Sequence, residues 1–251
     1  MSSGDIRSSF DGRCAEVLAY LELVRTVETA TRSGPPTIGI GGASISPLQQ
    51  RILYANVFVH LYNLVEATIT RCLSEIQEAT CNPTTAYTPA DLSFPVLREW
   101  VRFTAGTHTD LRYEKRLEAA LVMAEHLIHR LPLDELIIDA GGGGNWDTAS
   151  IERIAERIGC DLVIPGCVST AAKQHVRDDL GSLDLVKVLR NQLAHGSMSF
   201  GECGASITVS DLEAVTEAVV NFLSAVVDSF IDYLDNERYL ADLSTAGRTQ
   251  P

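Results

Sequence analysis

Basic residues are scarce in this chain. It has 20 Lys and Arg against 33 Asp and Glu, a formal net charge of −13. Such a surface repels a phosphate backbone, so indiscriminate coating of nucleic acid is disfavoured. Long apolar runs are missing as well. None approaches the roughly 20 residues that span a bilayer, and the longest uncharged core-like stretch, 52–65, contains Asn56, His60 and Asn63. That leaves no membrane partner to expect, and the stretch reads as a buried helix. The opening MSSGDIRSSFDGR has no apolar signal core, so the expected location is cytoplasmic. No two of the six cysteines stand at C-x-x-C spacing, which removes the zinc-knuckle and dithiol-redox patterns. All six read as thiols, with Cys14 and Cys72 as small core residues in helical patterns.

Strand signals are few. Leu136-Ile137-Ile138, Leu162-Val163-Ile164 and Ile207-Thr208-Val209 could pair at an edge, but they do not alternate with helices as a doubly wound sheet requires. Gly141 to Gly144 form a loop without the Gly-Lys-Ser/Thr ending of a phosphate loop, and Gly39, Gly41 and Gly42 follow no strong strand.

Helix signals dominate what is present. With 251 residues, 45% hydrophobic and 21% charged, the chain can bury a sizeable core. A first helix is expected from Asp5 to about Thr31, stopped by Ser33-Gly34-Pro35-Pro36. Ser46-Pro47-Leu48-Gln49 combines an N-cap, a proline in the first turn and a capping-box Gln, and starts a helix to about Ala79. Leu53, Val57, Leu61, Leu64, Thr68, Cys72 and Ile76 form its apolar stripe. Thr88-Pro89 opens a shorter helix through Val101. A further segment, about Leu111 to His129, carries Leu117, Ala120, Leu121, Ala124 and Leu127. Asp147 caps 151–158, and Ser182 caps a helix that Gly196 ends. The box Ser210-Asp211-Leu212-Glu213 opens the last helix, about Leu212 to Leu234, with an apolar seam at Leu212, Val215, Val219, Phe222, Val226, Phe230 and Tyr233. The expected fold is an all-α bundle in one domain, 1–245, framed by helices at about 46–79, 182–195 and 211–235. Residues 80–171 form a mostly helical insertion, and 246–251 a loose tail.

The most informative stretch is Arg190-Asn191-Gln192-Leu193-Ala194-His195-Gly196. It gathers a cation, an amide and an imidazole at a helix end, the parts needed to hold a phosphate and move a proton beside it. Arginine offers bidentate donors to phosphate. From Thr170 to Phe200 four bases face three acids, whereas from Glu202 to Asp242 nine acids face one base, Arg238. The motif therefore sits in the basic part of an acidic protein. At about 100° per residue, Asn191 and His195 share a helix face, whereas Arg190 and His195 lie about 140° apart. Either the helix loosens before Gly196, or the groups that complete the site come from a second subunit.

At these residues the chain resembles the HEPN superfamily (higher eukaryotes and prokaryotes nucleotide-binding domain), in particular the prokaryotic nuclease-like group met in toxin–antitoxin and phage-defence loci. The likeness rests on LVKVLRNQLAHGSMSF, on the early helix ILYANVFVHLYNLVEATITRCLSEI with Glu66 in its middle, and on the last helix ending DYLDNERYL. GNWDTASIERIAERIG also resembles a segment that precedes the motif in that group. The resemblance implies an all-α HEPN-like bundle and a metal-independent endoribonuclease that works as a homodimer on an RNA substrate. The RNA 2′-hydroxyl would attack the adjacent phosphorus. It implies proton transfer by His195, charge stabilisation by Arg190, positioning by Asn191, and Glu66 as a partner of Arg190 or His195. It also implies a controlling antitoxin protein. Some members carry a Tyr two residues after the His as a modification site; Ser197 stands here, which argues against that control.

Other readings compete. A helical module that binds RNA or protein without chemistry fits the acidic charge and the seam of the last helix. His126 and His129, three apart beside Glu125, offer two metal ligands without a third at diagnostic spacing, so no metal and no other cofactor is expected. Phe200 is expected to plug the end of the bundle.

Overall fold

The computed structural model describes residues 4–39, 42–106, 112–139 and 145–242. The expected glycine loop 141–144 and the tail lie outside them, as does Gly41 of the connector. Nine α-helices are present among the described residues: α1 (Gly4–Thr31), α2 (Pro47–Thr80), α3 (Phe94–Thr104), α4 (Tyr113–His129), α5 (Thr148–Ile158), α6 (Gly166–Lys173), α7 (Ser182–Ala194), α8 (Phe200–Ala205) and α9 (Val209–Asp235). The all-α reading holds.

The bundle is organised around α2. Ser46 closes the expected capping box with Gln49, and Pro47 sits in the first turn where its missing N–H costs nothing. The stripe from Val57 to Ile76 is buried, with Leu53 partly covered. α1, α7, α8 and α9 all pack on this helix. In α9 the whole expected seam from Leu212 to Tyr233 is buried, and the Tyr233 hydroxyl donates to the Ile158 carbonyl at 2.8 Å. By length and composition α2 and α9 could each cross a bilayer, yet 56% and 61% of their most apolar windows are buried inside the bundle. Facing apolar stripes explain their composition without lipid.

The three short apolar segments are not strands. Their backbone groups find partners on helices instead. The Ile138 amide donates to Gln77 Oε1 at 2.7 Å, and the Val163 amide to Ser229 Oγ at 2.9 Å. Thr208 is the N-cap of α9. A lone strand needs a neighbour, and among the described residues only isolated bridges such as Leu92–Leu240 occur.

Four further expectations are corrected. The helix expected at Thr88–Val101 is broken into a 3-10 turn at Pro89–Asp91 and α3. A continuous helix would set Pro95 against the Asp91 carbonyl with no N–H to offer it. That carbonyl accepts from the Ala241 amide at 2.8 Å instead. Ser182 is not a cap: Gly181 holds that place and Ser182 is buried in the first turn of α7. The cap of α9 lies two residues before Ser210, where Thr208 and Asp211 make the box. Phe200 does not plug the bundle. It is exposed on α8, an unforeseen helix capped by Ser199 and Glu202. α8 lies so close to α2 that a Cβ on Gly204 would fall 1.9 Å from the Arg51 carbonyl oxygen, so only glycine fits there.

The insertion supplies α3, α4, α5 and most of α6. α5 has the expected cap: Asp147 Oδ1 accepts from the Ser150 amide at 2.7 Å. α4 has the expected helical pattern but no buried residue; Leu117, Leu121 and Leu127 are about half exposed.

Candidate active site

The motif occupies the C-terminal turn of α7. Leu183, Leu185, Val186, Leu189 and Leu193 are buried, which fixes one face of the helix against the bundle. The polar residues between them are thereby held at its edge. Gly196 adopts φ +70°, and the amides of Ser197 and Met198 return to the Gln192 carbonyl, so the chain turns sharply after His195.

Arg190 is held on several sides. Its guanidinium carbon lies 4.1 Å from the centre of the Tyr62 ring, a cation–π stack on a fully buried aromatic. Its Nη1 donates to Asn191 Oδ1 at 2.9 Å, and its Nη2 stands 3.5 Å from Glu66 Oε2. Tyr62 and Glu66 are one turn apart on α2, so one face of that helix presents both. Asn191 in turn donates through Nδ2 to Asn145 Oδ1 at 3.0 Å, and the neighbouring Trp146 amide donates to the Tyr62 hydroxyl at 3.3 Å. The segment Asn145-Trp146-Asp147 thus clasps the motif helix. Asp147 completes the clasp by pairing with Lys187, one turn before Asn191.

Three carboxyl and phenol groups respond to this setting. Burial works to raise the Asp147 carboxyl, but the Lys187 ammonium and the Ser150 hydroxyl and amide outweigh it and hold it below the usual carboxylate range. Burial raises the Asp184 carboxyl, and the nearby Asp147 charge adds to this. Burial also raises the Tyr62 phenol, although the Trp146 amide, Arg190 and Lys187 pull the other way.

His195 differs from this network. It is exposed, and among the described residues no hydrogen bond or ion pair involves its imidazole. Its amide bonds to the Asn191 carbonyl at 2.9 Å, so the α-helical turn is intact up to the histidine. The helix does not loosen, and Arg190 and His195 leave it about 140° apart. Glu66, Arg190 and Asn191 are therefore brought together, and His195 stands apart from them.

Sequence reasoning missed Tyr62, Asn145, Asp147 and Lys187 as members of the site. Tyr62 was visible as the residue four before Glu66. Asn145 and Asp147 lie in the GNWD segment that resembles one in the nuclease group, but nothing in the sequence ties it to Asn191 across 46 positions. His126 packs edge-on against Trp100, with ring centres 5.8 Å apart, and His129 is exposed. Among the described residues no three His, Cys, Asp or Glu side chains gather in metal-holding geometry. A cavity of about 650 Å³ lies at the far end of α2, lined by carboxylates including Glu75, Glu78, Asp134 and Glu135, and it holds no motif residue.

An all-α bundle whose motif helix carries Arg-Asn-x-x-x-His, with the Arg beside an acidic residue of a long early helix, fits the HEPN class that the sequence resembles. The chain belongs to that superfamily: the family model described as MAE_28990-like HEPN matches residues 3–239. No curated protein and no solved structure matches it.

Proposed function

We propose that this protein is a metal-independent endoribonuclease whose active site is completed by a second copy of the chain. The observation that carries the reading is the fixed Arg190 guanidinium, stacked on Tyr62 and flanked by Glu66 and Asn191 at the surface. A guanidinium aligned before substrate arrives can hold a phosphodiester and stabilise charge growing on its oxygens without reorganising. An RNA phosphodiester carries its own nucleophile. The 2′-hydroxyl gives up a proton and bonds to phosphorus, the bond to the 5′-oxygen breaks, and that oxygen takes a proton. The products are a 2′,3′-cyclic phosphate and a 5′-hydroxyl.

This reaction needs one proton acceptor and one donor. One His195 cannot readily serve both ends of an in-line displacement. Two copies facing each other supply two imidazoles and two guanidiniums, which also answers the 140° divergence within one chain. Asn191 positions Arg190, and Glu66 balances its charge until phosphate displaces it. In this reading the protein is a cytoplasmic effector of the toxin or phage-defence kind, checked by an antitoxin protein, as its HEPN resemblance suggests.

The deciding experiment incubates the purified protein with total RNA in EDTA beside the His195→Ala variant and maps the cut ends. Cleavage by the wild type alone, leaving 2′,3′-cyclic phosphates, is expected. Equal cleavage by the variant would end the proposal. A second reading, a helical module that binds RNA or protein without cutting, is favoured by one feature: the uncovered apolar residues of α4. It requires saturable binding with RNA length unchanged.

A further inference from the structure

Away from the motif, α3 borders a groove of about 460 Å³ lined by Phe94, Leu97, Arg98, Glu99, Val101, Arg102 and, from α5, Arg157. Glu99 aside, the α3 members follow steps of three, one, three and one. All but Glu99 occupy one helix face, opposite the buried Val96 and Trp100; Glu99 is itself buried and reaches the groove only where it pairs with Arg157. An outward helix face is ordinarily polar. This one alternates an aromatic, two aliphatics and two guanidiniums.

Phe94 is 71% exposed, and the Arg98 guanidinium stands 6.0 Å from its ring. Arg157 is neutralised: it makes two hydrogen bonds to the Glu99 carboxylate, at 2.9 and 2.6 Å. Arg102 has Asp139 at 4.0 Å. Arg98 is exposed and has no carboxylate partner among the described residues. In a chain of net charge −13 the groove is a local reversal of sign. Exposed aromatic faces beside guanidiniums are how proteins seat unpaired bases while holding the phosphates between them. A duplex hides those base faces, so the fit is to a single strand.

The groove is also tied to the candidate active site. α5 carries Arg157 near its C-terminal end and is capped at its start by Asp147, which clasps Lys187 of the motif helix. Ten residues of helix place these two points about 15 Å apart. At roughly 3.4 Å per stacked nucleotide, that is on the order of four to five nucleotides.

We propose that the Phe94–Arg98–Arg102 face of α3 is a binding site for single-stranded RNA, seating bases a few nucleotides from the bond to be cut. The choice of RNA as ligand rests on the nuclease reading. The site gives an otherwise acidic protein its purchase on substrate, through stacking and a few guanidiniums in place of a broad basic surface.

The test is fluorescence polarisation with a labelled single-stranded RNA of about 12 nucleotides. The parent is full-length His195→Ala protein, so that the RNA survives. Adding Phe94→Ala should weaken binding about ten-fold, while Phe94→Trp keeps it. Phe94 is exposed, so these changes remove no core. Adding Arg98→Ala should reduce the slope of log affinity against log salt by about one. Undiminished binding by the Phe94→Ala protein would overturn the site. So would equal affinity for a duplex of the same sequence, or displacement of the RNA by poly-aspartate, which would mark a groove for acidic peptides. Wild-type cleavage is scored separately. Phe94-dependent binding without any cleavage keeps this site and removes the nuclease; cleavage with Phe94-independent binding does the reverse.

Discussion

Arg190 and His195 lie five residues apart in one motif, yet their surroundings differ in kind. Arg190 is stacked on a buried ring, bonded to its neighbour and flanked by a carboxylate. His195 is exposed at the last turn, and among the described residues only its backbone amide is engaged. The difference matches two chemical tasks. A group that stabilises charge works best when its position is set in advance. A group that moves a proton must meet a particular oxygen of a bound substrate, and here substrate and the second subunit are left to place it.

The contrast is broken most sharply at His195. Truncation to Ala should lower RNA cleavage by about 10²–10⁴-fold while changing stability by no more than about 0.5 kcal/mol. Cleavage rates and a thermal melt on the same preparation check both halves. A melt that falls steeply would mean that the imidazole has a structural partner and that the two residues are less different than they look.

Arg190→Lys tests the other side. Lysine keeps the charge but loses the planar fork and its stack on Tyr62. Cleavage should fall on the order of ten-fold, and stability by about 0.5–2 kcal/mol for the lost cation–π contact. A lysine variant with full activity would show that charge alone suffices and that the clasp around Arg190 is incidental.

Asn145→Ala sharpens the comparison from a distance, because Asn145 bonds to Asn191, which in turn bonds to Arg190. Losing one hydrogen bond of about 0.5–1.5 kcal/mol should cost about two- to twelve-fold in turnover. The loss should appear in kcat more than in KM if Asn191 positions Arg190 in the transition state. An effect confined to KM would instead place Asn145 in substrate binding.

The frame of this fold was legible in the sequence wherever local chemistry and burial agree. Ser46 with Gln49 and the α2 stripe combine a cap with an apolar face that finds a partner, and the α9 seam does so by its apolar face, its cap lying at Thr208 and not at Ser210. The pattern is less informative where one half is absent. Leu117 and Leu121 have the helical spacing that α4 bears out, but they stay about half exposed, and periodicity cannot report what a face meets. The apolar triplets at 136–138 and 162–164 look like strands because β-branched residues favour extended backbone. Their hydrogen bonds go to Gln77 and Ser229, which sequence does not connect to them. The site divides the same way. Arg190, Asn191 and His195 were read from one local motif, and Glu66 was implied by the resemblance and lies beside Arg190. Asn145 and Asp147 became visible as site members only when distant segments were brought together.

Asp147 gives the smallest test and the one with the clearest sign. Its folded-state pKa is depressed, because the Lys187 and Ser150 contacts outweigh burial. A depressed carboxyl contributes stability above its unfolded value, about 3.9, and that contribution fades as pH falls through the folded value below it. Asp184 acts in the opposite sense, since its raised pKa makes the ionised form a cost that acid relieves. Asp147→Asn isolates the first effect, because Asn caps a helix about as well as Asp but carries no charge for Lys187. Wild type should exceed the variant by no more than about 1 kcal/mol above pH 5, as expected for a single partly exposed ion pair. The two should converge below about pH 4. Urea melts of both proteins across that range would show it. A gap that persists into acid would mean that the Asp147 side chain holds α7 by its shape and hydrogen bonds. The clasp that steadies the Arg190 end of the motif would then owe nothing to charge.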